Sequence, residues 1–194
     1  MIEYLKGELV DRSPTSSVIE VNGVGYVFNN TINTFEALNQ QKTVQIFTHT
    51  AIREDAHTLF GFATQAERAM FRSLISVSGI GPSSAIAALS SYTPKQLQES
   101  IMQGDVASLK KIKGIGAKSA ERIIVDLRDK LGGEEGYFDN FGGQSNTIRS
   151  EALRALRNLG FDQRKSQKIV DETIKANDES ISIEDLIKLS LKSL

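Results

Sequence analysis

The chain has 194 residues, 40% of them hydrophobic and 24% charged, and it contains no cysteine. That length admits one large domain or two to three small ones, and the absence of cysteine excludes disulfides and thiolate metal sites. No apolar run approaches a membrane span and the N-terminus lacks a signal-peptide pattern, so a cytoplasmic protein is expected.

The formal net charge is −1, but it is unevenly placed. Residues 1–62 carry 4 basic against 7 acidic side chains, 63–131 carry 10 against 6, 132–147 carry none against 3, and 148–194 carry 9 against 8. Local charge decides where a polyanion is attracted, so only the 63–131 segment invites one.

Residues 1–62 read as β structure. Tyr4 to Val10 forms one β-rich run, and Asn22-Gly23 is a hairpin signal joining Val18–Val21 to Val24–Phe28. Thr43–Ile52 and His57–Phe62 form a further pair with Arg53-Glu54-Asp55-Ala56 at its tip. About five short strands in so short a segment predict a small closed barrel of the OB-fold type. Tyr26, Phe28, Phe47, Phe60 and Phe62 lie in apolar strand patterns, which assigns them to core packing rather than to base stacking. Glu54 and Asp55 read, on their own, as solvated acids in a turn. His49 and His57 lack a recognisable ligand spacing, and no metal or cofactor is expected.

Residues 63–131 read as helices. Thr64 with Glu67 and Thr93 with Gln96 predict capping boxes, the first opening a helix to about Val77, and Pro82 and Pro94 sit at favourable first positions. Two stretches of one design interrupt these helices: Val77-Ser78-Gly79-Ile80-Gly81-Pro82 and Ile112-Lys113-Gly114-Ile115-Gly116-Ala117. Each predicts helix, tight glycine turn, helix, and each ends at a helix N-terminus, where free N–H groups and the macrodipole favour an anion. Gly-Ile-Gly can also serve only to let two helices cross, with the Ile as a core plug. Two copies 35 residues apart, however, suggest an internal duplication with paired phosphate sites. The second copy is flanked by Lys110, Lys111, Lys113, Lys118 and Arg122. Lys118 and Arg122, four apart, share a helix face beside the turn. Gly79, Gly81, Ser83, Gly114, Gly116, Lys118, Ser119 and Arg122 are therefore the candidate DNA-binding residues.

Residues 132–147, with Gly132-Gly133, Glu134-Glu135 and Gly142-Gly143, predict a linker carrying Tyr137, Phe138 and Phe141. Residues 148–194 predict three amphipathic helices: Ile148 to Asn158 ended by Gly160, Gln163 to Lys175 after an Asp162 cap, and Ile183 to Leu194 after a Ser182 cap. Leu156, Leu159, Gly160 and Phe161 are candidate partner-binding residues, with filling of the module's own small core as the alternative for the apolar three. The stretch from Ala155 to Phe161 resembles the first turn of ubiquitin-associated-like three-helix modules.

The tandem Gly-Ile-Gly turns resemble paired helix-hairpin-helix motifs. With Arg53-Glu54-Asp55-Ala56 before them and Gly114-Ile115-Gly116-Ala117-Lys118-Ser119-Ala120-Glu121-Arg122 at the second turn, the chain resembles the RuvA family from Met1 to Leu194. The resemblance implies an α+β protein: an OB-fold barrel (1–62), a tandem helix-hairpin-helix domain (63–131), a linker (132–147) and a motor-binding three-helix module (148–194). It implies a non-enzymatic subunit that binds four-way Holliday junctions by structure, acts in recombination and repair, and recruits the hexameric ATPase RuvB. It also implies a homotetramer, names the RuvC resolvase as a further candidate partner, and makes Glu54 and Asp55 an acidic pin that parts strands at the crossover. Relatives commonly carry a lysine where this chain has Ser83-Ser84. The competing class is a helix-hairpin-helix repair enzyme or nuclease subunit, but no acidic metal cluster stands out, and no Gly-x-x-x-x-Gly-Lys nucleotide loop is present.

Overall fold

The computed structural model describes residues 2–39, 42–131, 148–176 and 181–193. It divides into two compact units, Met1–Gly142 and Gly143–Leu194. The linker expected at 132–147, with Tyr137, Phe138 and Phe141, lies outside the described residues. Among the described residues no helix is long and apolar enough to cross a membrane.

The first unit opens with five strands: β1 (Tyr4–Arg12), β2 (Ser16–Val21), β3 (Val24–Asn29), β4 (Thr43–Ile52) and β5 (His57–Phe62). They close a barrel in the order β1-β2-β3-β5-β4. Neighbours are antiparallel except β3 and β5, which meet in parallel at Asn29 and Phe60. This is the OB-fold architecture. Period-two alternation fills it: Ile19, Phe28, Val44 and Ile46 are buried inside.

Between β3 and β4 the structure departs from the all-β reading. Residues 32–37 form a helix, α1 (Ile32–Ala37), capped by the Thr31 hydroxyl, which accepts the Thr34 N–H at 2.9 Å. A six-residue helix is too short for apolar periodicity to announce itself.

Five helices follow: α2 (Gln65–Ile75), α3 (Pro82–Ser91), α4 (Pro94–Gln103), α5 (Val106–Leu109) and α6 (Ala117–Leu131). The capping box of α4 is complete, with Thr93 and Gln96 each satisfying the other's backbone. The box expected for α2 is half formed. Thr64 accepts the Glu67 N–H, but the Glu67 carboxylate turns toward α1 and accepts the hydroxyls of Thr31 and Thr34, the latter at 2.7 Å. On its other flank α2 reaches the N-terminal segment, where Arg68 donates to the Glu3 carbonyl at 2.8 Å and pairs with its carboxylate at 2.5 Å. Phe60 and Phe62 of β5 stack against Phe71 of α2, centroids 5.1 and 4.9 Å apart, so the barrel and the helices share one core.

The second unit contains α7 (Ile148–Asn158), α8 (Gln163–Ala176) and α9 (Ile183–Ser193) around a core of Ala152, Leu156, Val170 and Leu186. The Asp162 and Ser182 side chains cap α8 and α9 by accepting the N–H groups of Lys165 and Asp185. Helix α7 ends in a Schellman turn: Gly160 takes φ +90°, and the Phe161 N–H reaches the Leu156 carbonyl at 3.2 Å. An ion pair between Arg149 and Asp171, 2.6 Å, ties α7 to α8 and holds the Asp171 carboxyl below its usual range.

Candidate nucleic-acid interface

The 35-residue repeat is visible atom by atom. Leu74, Val77, Ile80, Ala85, Ala88 and Leu89 are buried, and so are Leu109, Ile112, Ile115, Ala120, Ile123 and Ile124, each exactly one repeat on. Backbone bonds repeat with them: Ile80 N–H to Val77 C=O at 3.0 Å matches Ile115 to Ile112 at 3.1 Å, and Ala85 to Gly81 at 3.1 Å matches Ala120 to Gly116 at 2.9 Å. The middle isoleucines are core plugs. That accounts for Ile80 and Ile115 but not for the glycines around them.

The two glycines of each turn have different reasons. Gly79 and Gly114 stand at φ +88° and +86°, where an L side chain is strained. Gly81 caps α3 at φ −89°, a conformation open to any residue, and a Cβ at Gly81 or Gly116 would meet no atom within 4 Å. Neither backbone strain nor internal packing calls for glycine there. What a side chain would obstruct is the approach of something external to the N-termini of α3 and α6.

The two hairpins also hold one another. Ser84 Oγ, at the start of α3, donates to the Gly114 carbonyl at 3.3 Å, and an Arg122 guanidinium nitrogen of α6 donates to the Ser78 carbonyl at 3.3 Å. Arg122, read from spacing as a partner of Lys118, is thus also a strut between the turns. Ser83 is exposed and Ser119 half-buried beside their respective turns. Lys110, Lys111, Lys113 and Lys118 are exposed around the second turn. Among the described residues, none of the four has a carboxylate within 4 Å, which leaves their charge for a polyanion.

The structure places Glu54 and Asp55 at the apex of the β4–β5 hairpin, closed by the Arg53 N–H donating to the Ala56 carbonyl at 2.8 Å. Both acids are exposed, and among the described residues neither is paired with a cation. His49 is half-buried 5.4 Å from Phe71, and its imidazole is held below its usual range by burial first and then by Arg72 and Arg68. It pairs across the sheet with Phe60, whereas His57 pairs with Ile52, so the two histidines do not converge. Among the described residues no three His, Asp or Glu side chains are placed to hold a metal ion.

The four residues singled out in the second unit separate. Leu156 is fully buried in that unit's core and cannot touch a partner directly, whereas Leu159 is 61% and Phe161 37% exposed, flanking the exposed Gly160. The Schellman turn that Gly160 permits is what turns both side chains out. Sequence reasoning missed the exposed Leu189 and Leu191 of α9, which lie two apart and escape a search for i, i+3 and i+4 faces.

Comparison with known proteins follows the same division. Residues 1–61 match the profile described as "RuvA N terminal domain", 71–129 match "SAM-like Helix-hairpin-helix tandem", and 147–194 match "RuvA, C-terminal domain". A protein of Christiangramia forsetii named "Holliday junction branch migration complex subunit RuvA" is 46% identical over 194 residues, 100% of both chains. Proteins of the same name from Cytophaga hutchinsonii and Flavobacterium psychrophilum are each 44% identical, covering 99% and 100% of this chain and the same shares of their own. With full-length identity at this level and both terminal domains matched, the chain belongs to the RuvA family.

Proposed function

We propose that this chain is the non-catalytic DNA-binding subunit of a Holliday junction branch migration complex, gripping duplex arms through their backbones at the two glycine turns. The observation that carries this reading is the open space over Gly81 and Gly116 in a chain of the RuvA family. Contacts from backbone N–H groups and lysines to phosphates carry no base information, so recognition is by junction shape rather than sequence. The DNA-binding set is Gly79, Gly81, Ser83, Gly114, Gly116, Lys118, Ser119 and Arg122. Glu54 and Asp55, unpaired at a hairpin apex, stand at the crossover and repel phosphates there. The second unit recruits the RuvB hexameric ATPase through Leu159, Gly160 and Phe161, with Leu156 supporting them from beneath. Four copies assemble as a homotetramer to match four DNA arms, and the RuvC resolvase is a further partner of the assembly.

The test is the ratio of dissociation constants for linear duplex and a four-way junction of the same length, at one salt concentration. The unchanged protein should favour the junction. In a Glu54→Gln, Asp55→Asn variant, binding to duplex should tighten more than binding to the junction, so selectivity falls while total affinity rises. An unchanged ratio would return both acids to the role of solvated turn residues.

A further inference from the structure

The repeat that builds the two glycine turns is broken by the bonds that join them. Ser84 Oγ donates to the Gly114 carbonyl, and Arg122 donates to the Ser78 carbonyl, both at 3.3 Å. One repeat back, Gly114 corresponds to Gly79, yet the surroundings of the two glycines differ. A Cβ at Gly114 would lie 2.7 Å from Ser84 Oγ and 3.6 Å from Ser84 Cβ, whereas one at Gly79 would meet no atom within 4 Å. Arg122 corresponds to Ala87, whose side chain has no donor to return the contact. Gly79 nevertheless takes φ +88° and Gly114 +86°. The seated serine is therefore not what shapes the turn.

What the two bonds fix is the place of one turn relative to the other. The Gly114 carbonyl shares a peptide plane with the Ile115 N–H, which donates to the Ile112 carbonyl at 3.1 Å, so that plane is held from both sides. Ser84 stands in the first turn of α3, three residues after its Gly81 cap, and its own N–H is one of those a helix leaves without an intrahelical acceptor. This half-buried residue thus belongs to both hairpins: its backbone is part of the first anion position, and its hydroxyl holds the second turn. Arg122, from α6, makes the reverse connection.

Two anion positions at a fixed separation fit one spacing of phosphates and are costly to adapt to another. Duplexes differ in that spacing. B-form DNA has a wide major and a narrow minor groove, and A-form RNA a narrow major and a wide minor one, so the backbones flanking each groove stand at different separations. We propose that Ser84 is a positioning residue: together with Arg122 it fixes the separation of the two glycine turns and so makes the pair selective for the phosphate spacing of B-form duplex. This rests on the reading above in which both turns grip a duplex arm.

The experiment measures dissociation constants of the full chain for a DNA duplex and an RNA duplex of the same length and sequence, at one salt concentration. The unchanged chain should favour DNA. Ser84→Ala keeps the backbone N–H and suits a helix, so the fold and the other phosphate ligands stay in place. It should weaken binding to DNA about threefold, within the worth of one neutral hydrogen bond, and leave binding to RNA as it was. Ser84→Thr, which retains the hydroxyl, should keep the original ratio. Lys118→Ala removes a charge without touching either bond and should weaken binding to both duplexes alike. Equal affinity of the unchanged chain for DNA and RNA overturns the proposal, as does a ratio that Ser84→Ala does not move or that Ser84→Thr lowers as far. A fall with Lys118→Ala as large as with Ser84→Ala overturns it too, because selectivity would then follow overall affinity and not spacing. If gel shifts show that the unchanged chain has no preference for a four-way junction over linear DNA duplex, it is the reading beneath the proposal that fails.

Discussion

The two helix-hairpin-helix copies have the same interior and different exteriors. Their buried positions, positive-φ glycines and turn hydrogen bonds coincide at an offset of 35 residues. Outside, the first turn presents Ser83 and Ser84 and the second a ring of lysines. Buried side chains and backbone conformation build the turn proposed as an anion site, and they leave little freedom to vary. The surrounding charge sets how strongly the site attracts, and it can change without disturbing the fold. On the proposed function, the first hairpin is therefore a positioning contact and the second carries most of the electrostatic attraction.

The largest effect should come from closing the site itself. At Gly116 a Cβ would meet no protein atom within 4 Å and there is no backbone strain to overcome, so a Gly116→Leu protein should melt within a few degrees of the unchanged chain. It should nevertheless bind both duplex and junction about tenfold more weakly or worse, roughly 1.4 kcal/mol. Gly81→Leu should cost less, because its turn has fewer cations to support the contact. Equal losses would remove the distinction between a positioning and an attracting hairpin.

Charge exchange gives a smaller effect. Lys118→Ala should reduce the slope of log affinity against log salt by about 0.9, one phosphate contact, and Ser83→Lys should increase it by about the same amount. If Lys118→Ala leaves the slope alone, that lysine is only a solvated helix charge. If Ser83→Lys does nothing, no phosphate lies near the first turn.

The glycine turns, their period and the strand pairs of the barrel were legible because each is local: a turn needs glycine at a fixed place, and a strand shows period two. The parts that were not legible are long-range. Glu67 has the spacing of a capping box, yet its carboxylate answers to Thr31 and Thr34, more than thirty residues away, which no local pattern announces. Arg122 has the spacing of a phosphate ligand and also bonds Ser78, 44 residues back. Leu156 and Leu159 look alike in the sequence. Only the packing of α7 against α8 and α9 buries one and the Gly160 turn exposes the other.

The hairpins differ also in how they are fastened to the barrel, and this gives the smallest and most specific prediction. Helix α1 grips the first hairpin from both sides. The Ile32 N–H donates to Ser90 Oγ at 3.1 Å, Asn33 Nδ2 donates to the carbonyls of Leu89 and Tyr92, and Glu67 accepts the two threonine hydroxyls. Among the described side-chain hydrogen bonds, none joins α5 or α6 to the barrel. Burial raises the Glu67 carboxyl above its usual 4.5, and the hydrogen bonds from Thr31, Thr34 and the Ala63 backbone oppose this without overcoming it. An acid whose folded pKa lies above its unfolded value binds its proton more tightly when folded. Its contribution to stability is fully present below pH 4.5 and is lost as pH rises through the raised value. Glu67→Gln should therefore show two components in urea unfolding. A pH-independent loss of about 1 kcal/mol is expected, since an amide cannot accept both hydroxyls. Added to it is a relative gain for the variant that grows as pH rises above 4.5 and levels off once the native carboxyl has ionised. A relative loss with rising pH would mean that the threonines outweigh burial. Because the barrel carries the acidic tip and Glu67 fastens it only to the first hairpin, loosening this joint should shift the junction-to-duplex ratio. The salt slope, set by the lysines of the second hairpin, should stay where it is.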